Sequence, residues 1–220
     1  MKNQVLKYFL ISLLVIIADQ IVKMIVHYNM DMGTKGQILI FGNWFKLHYL
    51  TNPGMAFGMK LDFAYGKLIL TVFRIGAMIA IGFYLYSLIK KGASTGLLIC
   101  IALILGGAIG NLVDSIFYGV LFDNAPYDAP SPWFHGQVID MFYIDIWEGY
   151  LPDWIPLMGG DYMALWPVFN IADASIFVAI CFIIAFQKRY FKKEEEDKSK
   201  EPILETHEMS MIDKHQPGNE

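Results

Sequence analysis

The sequence predicts an all-α membrane protein with four transmembrane helices and a small β-containing subdomain on the outer side of the membrane. Of its 220 residues, 55% are hydrophobic and the mean hydropathy is +0.42, which leaves too little polar surface to cover a soluble globule. Four apolar runs are each long enough to cross a bilayer. The net charge of -4 comes without a basic face, so we expect no nucleic-acid partner.

The four predicted spans cover residues 5–26, 68–89, 96–113 and 165–186. The first span is too long for the hydrophobic core of a signal peptide and contains Asp19 and Lys23, so we interpret it as a retained helix. In the third span, Gly106 and Gly110 have the spacing of small residues that lets helices approach closely.

The two predicted outer loops, 27–67 and 114–164, differ in character. The first contains two short predicted strands, 37–41 and 44–50, around a Gly-Asn turn. From residue 115 to residue 164 we expect a long irregular segment that is rich in proline and aromatic residues. Spans and loops form one predicted domain, residues 1–191, and the charged residues 192–220 are predicted to be a disordered cytoplasmic tail.

Basic residues next to the spans predict the orientation of the chain. With four spans, one side of the membrane receives Lys2, Lys7, Lys90, Lys91, Lys188, Arg189, Lys192 and Lys193. On the other side, the segment 115–164 contains no lysine or arginine, although the first outer loop carries four lysines. Because cytoplasmic loops are enriched in lysine and arginine, we expect both termini in the cytoplasm.

Polar side chains lie at one depth, near the outer ends of the predicted spans. They are Asp19, Lys23, Arg74, Asn111, Asp114 and Asp173. A single such residue would most simply hold two helices together by a hydrogen bond. Several at a common level favour a water-accessible site, in which the aspartates are the candidates for chemistry and the cations can also extend toward the interface.

Four short motifs, in order along the chain, give the predicted site a likeness to a known family. The sequence has D-x-x-x-K at 19–23, N-x-G-x-A-F at 52–57, G-N-x-x-D at 110–114 and F-N-x-A-D at 169–173. In these motifs it resembles the lipoprotein signal peptidases (signal peptidase II), which are four-span intramembrane aspartic proteases of bacteria. Only the tail and parts of the outer loops lie outside the resemblance.

The chain departs from the family pattern in one block. The family usually has an arginine after G-N-x-x-D, where this chain has Ser115, and then a catalytic aspartate in G-x-V-x-D-[FM]. Asp140 fits that pattern after a long insertion, whereas Asp123 has about the ungapped distance but the wrong valine position. We favour Asp140, because a loop insertion costs less than moving a reacting group. The resemblance leaves open whether Arg74 replaces the missing arginine.

The resemblance implies a role for each matching residue. Asp140 and Asp173 would be the catalytic pair, and Asn52 and Asn111 would orient the substrate peptide. The remaining matches are Gly54 in the substrate-binding loop, Asp114 and Asn170 as orienting groups, and Asp19 with Lys23 as a bracing pair. Without the resemblance, Asn52 and Gly54 would be interpreted as turn residues beside Pro53. No metal or cofactor is implied, and the histidine spacing fits no metal motif.

The resemblance also implies a substrate and a location. The expected substrate is a diacylglyceryl-modified prolipoprotein, cut just before its lipidated cysteine at the outer face of the bacterial inner membrane. Membrane lipid and cyclic peptide inhibitors of the globomycin type are further expected ligands, and we expect a monomer. The alternatives are a small proton-coupled transporter, disfavoured because the sequence has no internal repeat, and a non-catalytic scaffold.

Overall fold

A computed structural model describes residues 2–53, 65–154, 159–160, 162–164 and 166–190. In this part of the chain, the long helices are α1 (Lys2–Asn29), α2 (Gly66–Lys90), α3 (Thr95–Val113, continuing to Leu121) and α4 (Ile171–Ala185). By length and composition, α1, α2 and the extended α3 could each cross a membrane, whereas α4 has 15 residues and is shorter. The prediction of a largely helical chain with apolar spans is confirmed, and a fourth span stays a prediction.

The last helix begins six residues later than predicted, because Asn170 is its N-cap. The Asn170 side-chain oxygen accepts a hydrogen bond from the backbone N–H of Asp173 at 2.9 Å. The Asp173 carboxylate accepts one in return from the Asn170 N–H at 3.4 Å, which completes a capping box. Asp173 therefore lies in the first turn of α4 rather than well inside a helix that starts at residue 165.

Helix α3 continues past Val113, where the sequence predicted its end, through a π-helical turn (Asp114–Tyr118) and a last turn (Gly119–Leu121). Two carbonyl oxygens of this π turn accept hydrogen bonds from a later segment. Gly136 N–H donates to the Ser115 carbonyl at 3.0 Å, and Phe134 N–H donates to the Ile116 carbonyl at 3.2 Å. The π turn thus holds the segment that leads into the next strand against α3.

A three-stranded antiparallel sheet contains β1 (Ile38–Phe41), β2 (Phe45–Asn52) and β3 (Val138–Ile144), in that order. Strands β4 (Glu148–Tyr150) and β5 (Tyr162–Ala164) form a separate antiparallel pair. The predicted strands of the first loop are confirmed, but the expectation of an irregular segment from 115 to 164 is wrong. Strand β3 is buried over most of its length, so its apolar run lacks the alternation that marks a half-buried strand.

Helix α3 packs against α1, α2 and α4, and glycine permits the closest approaches. A Cβ atom on Gly106 would lie 2.8 Å from the Ser12 carbonyl of α1. One on Gly107 would collide with the Ala172 carbonyl of α4. The largest buried apolar cluster joins α1, α2 and α3, and its members are Tyr8, Leu85, Leu88, Ile89, Leu97, Leu98, Ile101, Ala102 and Leu105.

Replacing Gly107 by alanine should lower the free energy of unfolding by about 1–3 kcal/mol, because the new methyl group has no room against α4. Gly82 on α2 is the matched control, since a Cβ there meets nothing within 4 Å. Gly82→Ala should keep stability or raise it by up to about 1 kcal/mol, because alanine favours a helix. Thermal unfolding in detergent compares the two, and equal stability would contradict the α3–α4 contact.

Candidate active site

The predicted catalytic aspartates lie where β3 meets the start of α4. Asp140 on β3 is 2% exposed, and its two carboxylate oxygens accept hydrogen bonds from different elements. The Asn170 side-chain N–H donates to Asp140 Oδ1 at 2.7 Å, and the Asn52 side-chain N–H donates to Asp140 Oδ2 at 3.0 Å. Two asparagines, from the α4 cap and from the end of β2, therefore fix the Asp140 carboxylate.

Asp173 is held in the same way from α3, but it keeps partial exposure. The Asn111 side-chain N–H donates to Asp173 Oδ1 at 2.7 Å. The oxygen of the same Asn111 amide accepts from Asn170 Nδ2 at 3.0 Å. The structure therefore joins Asp140 and Asp173 through the side chains of Asn170 and Asn111.

Backbone pairing also attaches the start of α4 to β3. Phe169, which precedes the N-cap, pairs antiparallel with Phe142: the Phe142 N–H donates to the Phe169 carbonyl at 2.8 Å, and the return bond is 3.0 Å long. The Asn170 side chain additionally donates to the Ile139 carbonyl at 3.3 Å. The strand and the helix start thus carry their aspartates as one unit.

Burial of Asp140 changes its protonation. Loss of solvent and the neighbouring Asp173 carboxylate raise the pKa of Asp140 to about 7, against the opposing hydrogen bonds from Asn52 and Asn170. A carboxyl with a pKa close to neutral can hold a proton and release it during one reaction cycle. The pair can therefore supply an acid and a base at the same pH.

A buried ion cluster lies beside the aspartate pair. The Lys23 ammonium, with no exposed surface, contacts Asp19 Oδ2 and Asp114 Oδ2 at 2.7 Å each and donates to Asn111 Oδ1 at 3.0 Å. The other Asp19 oxygen accepts from the backbone N–H of Ala172 in the first turn of α4 at 2.9 Å. Asp114 accepts from the N–H of Ile139, at 3.2 Å. The cluster thus connects α1 and α3 to the elements that carry the aspartate pair.

The sequence analysis did not predict two members of this network, Gln20 and Tyr118. Gln20 Nε2 donates to Asp114 Oδ1 at 2.9 Å, and the Tyr118 hydroxyl donates to Gln20 Oε1 at 2.9 Å. Gln20 carried a signal, because it is a polar residue beside Asp19 in an apolar run. Tyr118 carried none, since its position depends on the continuation of α3 through the π turn.

Asp123 and Asp140, the two candidates for the aspartate that pairs with Asp173, lie in different environments. Asp123 is exposed after the end of α3, with a positive φ of 51°, whereas Asp140 is buried beside Asn52 and Asn170. Gly54, predicted for the substrate-binding loop, lies outside the described residues.

Comparison with known proteins identifies the family. The sequence model of the family described as signal peptidase (SPase) II matches residues 11–188. A lipoprotein signal peptidase of Amoebophilus asiaticus is 48% identical over 216 residues, which are 95% of this chain and 92% of the relative. One from Porphyromonas gingivalis is 40% identical over 190 residues, 80% of each chain. The chain belongs to the signal peptidase II family.

The fold of this signal peptidase II family member is also similar to solved structures of bacterial membrane enzymes. One, determined at 2.3 Å resolution, has a TM-score of 0.54 at 24% identity and covers 83% of this chain and 88% of its own. Another, at 1.9 Å, has a TM-score of 0.53 at 25% identity and covers 81% and 90%. Family membership and the three apolar helices together indicate a bacterial membrane protein.

Replacing Lys23 by methionine should lower the free energy of unfolding by about 3–5 kcal/mol, because Asp19 and Asp114 would stay buried without a cation. The matched control is Lys46→Met, which breaks the 2.8 Å pair of Lys46 with the partly exposed Asp145. That pair should contribute about 1 kcal/mol or less. Thermal unfolding of both variants above neutral pH makes the comparison, and a small Lys23 effect would rule out the cluster as a structural requirement.

Proposed function

We propose that this protein is an aspartic endopeptidase that removes signal peptides from diacylglyceryl-modified prolipoproteins, cutting just before the lipidated cysteine. Family membership supports a peptidase, and the names of its relatives, lipoprotein signal peptidases, support a prolipoprotein substrate. The observation that carries the aspartic mechanism is the buried Asp140, whose pKa lies near neutral beside Asp173. The family match favours this function over the transporter alternative.

Two carboxylates can hydrolyse a peptide when they share one proton. Like charges close together in a buried site resist double ionisation, so one of the pair stays protonated at neutral pH. The ionised member removes a proton from water as the water oxygen attacks the scissile carbonyl, which the protonated member polarises. The tetrahedral intermediate then breaks its C–N bond, and the pair gives the leaving nitrogen a proton in place of the one taken from water, which restores the pair with one shared proton. The proton belongs to the pair, because Asp140 and Asp173 titrate as a coupled unit.

The surrounding residues have proposed roles that follow their contacts. Asn52, Asn111 and Asn170 donate hydrogen bonds to the two carboxylates, so they orient the catalytic pair. Asn52 and Asn111, with Gly54, remain the proposed groups that orient the substrate peptide. Asp19, Lys23 and Asp114 form the buried cluster that braces the helices behind the pair.

The proposed topology has four spans, with α4 as the last, both termini in the cytoplasm and the site at the outer face of the inner membrane. Helix α4 is about 22 Å long at helical rise, and its last residues precede Lys188 and Arg189. In this arrangement the scissile bond reaches the pair at the interface while the acyl chains of the substrate stay in lipid. The protease domain is residues 1–191, followed by a cytoplasmic tail, and we propose a monomer that globomycin-type peptides inhibit.

Asp140→Asn and Asp173→Asn should each abolish cleavage of a lipidated prolipoprotein. The proposed reaction needs one carboxyl group as the acid and one as the base, and an asparagine side chain can be neither. The assay is the mobility shift of the substrate on a gel after incubation with purified protein. Asp123→Asn, at an exposed position after the end of α3, is the matched control and should keep wild-type turnover.

Size-exclusion chromatography in detergent confirms that the inactive variants are folded. Near-normal turnover of either variant would exclude the pair. If Asp123→Asn were inactive while Asp140→Asn kept its activity, the catalytic aspartate would be Asp123, at the ungapped distance from the G-N-x-x-D motif, and not Asp140.

The pH dependence of kcat/KM tests the shared proton. Since the pKa of Asp140 is raised to about 7, the pair keeps its proton below that pH and loses it above, so kcat/KM should fall as pH rises through about 7. Asn52→Ala removes a hydrogen bond to the ionised carboxylate, raises the pKa of Asp140 further and should move this falling limb to higher pH. An unmoved limb in the variant would argue against Asp140 as the titrating group.

A further inference from the structure

Two cations of α2 point at the π turn of α3 beside the aspartate pair. Arg74 Nη1 and Lys67 Nζ each donate a hydrogen bond to the Ser115 hydroxyl oxygen at 3.3 Å. Lys67 also donates to the Pro53 carbonyl at 2.6 Å, next to Asn52. Ser115 has no exposed surface, and its hydroxyl donates to the Asn111 carbonyl at 3.1 Å. A buried serine thus holds the ends of both cationic side chains.

The Arg74 guanidinium is within electrostatic range of carboxylates from three other elements. It interacts most strongly with Asp173 of α4, then with Asp114 of α3 and Asp140 of β3, while Lys67 on its own helix repels it. Lys23 of α1 also acts on both members of the aspartate pair, and Asp19 acts on Asp173. Arg74 is therefore a cation of the pair's own environment and not only a partner of Ser115.

The charges of this site balance in one protonation state. Among the described residues, the network contains four carboxyl groups and three cations, namely Asp19, Asp114, Asp140 and Asp173 with Lys23, Lys67 and Arg74. Lys23 is already shared between Asp19 and Asp114. With one proton on the aspartate pair and Lys67 in its charged form, three negative charges face three positive ones. Adding or removing a proton leaves a net charge in a largely buried site, which is costly.

We propose that Arg74 is a positioning residue of the peptidase, supplying the positive charge that keeps one member of the Asp140–Asp173 pair ionised at neutral pH, so that it can act as the base. This inference rests on the proposed function and adds a residue to its machinery. A nearby cation favours the ionised form of a carboxyl group, so it lowers the pH at which the pair gains or loses its protons. Without Arg74, the pH profile of kcat/KM should move to higher pH.

The test is the pH profile of prolipoprotein cleavage by Arg74→Gln, Arg74→Lys and the wild-type protein, measured from about pH 5 to 9. At the separation of neighbouring buried groups, one charge should shift the profile by about one pH unit upward in Arg74→Gln. Arg74→Lys keeps the charge and should keep the wild-type profile. Lys90→Gln removes a cation from the other end of α2, where it stacks on Tyr86, and is the matched control.

A charge exchange between the two helices sharpens the test. Because Arg74 Nη1 lies against Ser115, an arginine introduced at position 115 can place its guanidinium in the same region. The double variant Arg74→Gln with Ser115→Arg should therefore return the profile toward its wild-type position. A structural role of Arg74 predicts no such return, since the side chain would come from the wrong helix.

A wild-type profile for Arg74→Gln, or a uniform loss of activity without a shift, overturns the inference. If Arg74→Gln does not accumulate, Ser115→Asp places an anion beside Arg74 and should also shift the profile upward, with Ser115→Asn as its neutral control, and an unshifted Ser115→Asp overturns the inference. If the wild-type protein itself does not cleave a lipidated prolipoprotein, the proposed function fails instead.

Discussion

The side-chain amide of Asn170 is the contact on which the site depends. It donates to Asp140, to Asn111 and to the Ile139 carbonyl, and its oxygen caps α4 through the Asp173 N–H. One residue thus fixes where the last helix begins, how that helix meets β3, and how the two aspartates are oriented. Because the capping residue and the bridging residue are the same, the start of α4 cannot move without moving Asp140 and Asp173.

The second constraint is the cost of burying charge. Asp19, Asp114 and Lys23 have essentially no exposed surface, and Lys23 contacts both aspartates. The two aspartates also accept hydrogen bonds from the backbone of α4 and β3. Breaking one member leaves charges without partners, so the network exists as a whole or not at all. This preorganisation suits a reaction that develops charge in a site from which bulk water is largely excluded, since the surrounding dipoles need not reorient.

The sequence predicted the residues of the network better than the elements that carry them. Asp19 with Lys23, and Asn111 with Asp114, fall on one face of their helices through spacings of four and three residues, so their proximity follows from helix geometry. The start of α4 was missed because an apolar run does not mark a helix start, although Asn170 and Asp173 have capping-box spacing. The continuation of α3 and the contact of Arg74 with Ser115 depend on a π turn and on helix rotation, and neither leaves a pattern in the chain.

The central claim is that Asp140 and Asp173 share a single proton at neutral pH. Infrared difference spectroscopy of the purified protein during a pH titration observes this proton directly, through the carbonyl stretch of a protonated carboxyl group. A shared proton predicts a band that disappears as pH rises through about 7, and whose titration changes in Asp140→Asn. A spectrum without a protonated carboxyl group near neutral pH, or a band that titrates identically in Asp140→Asn, would contradict it.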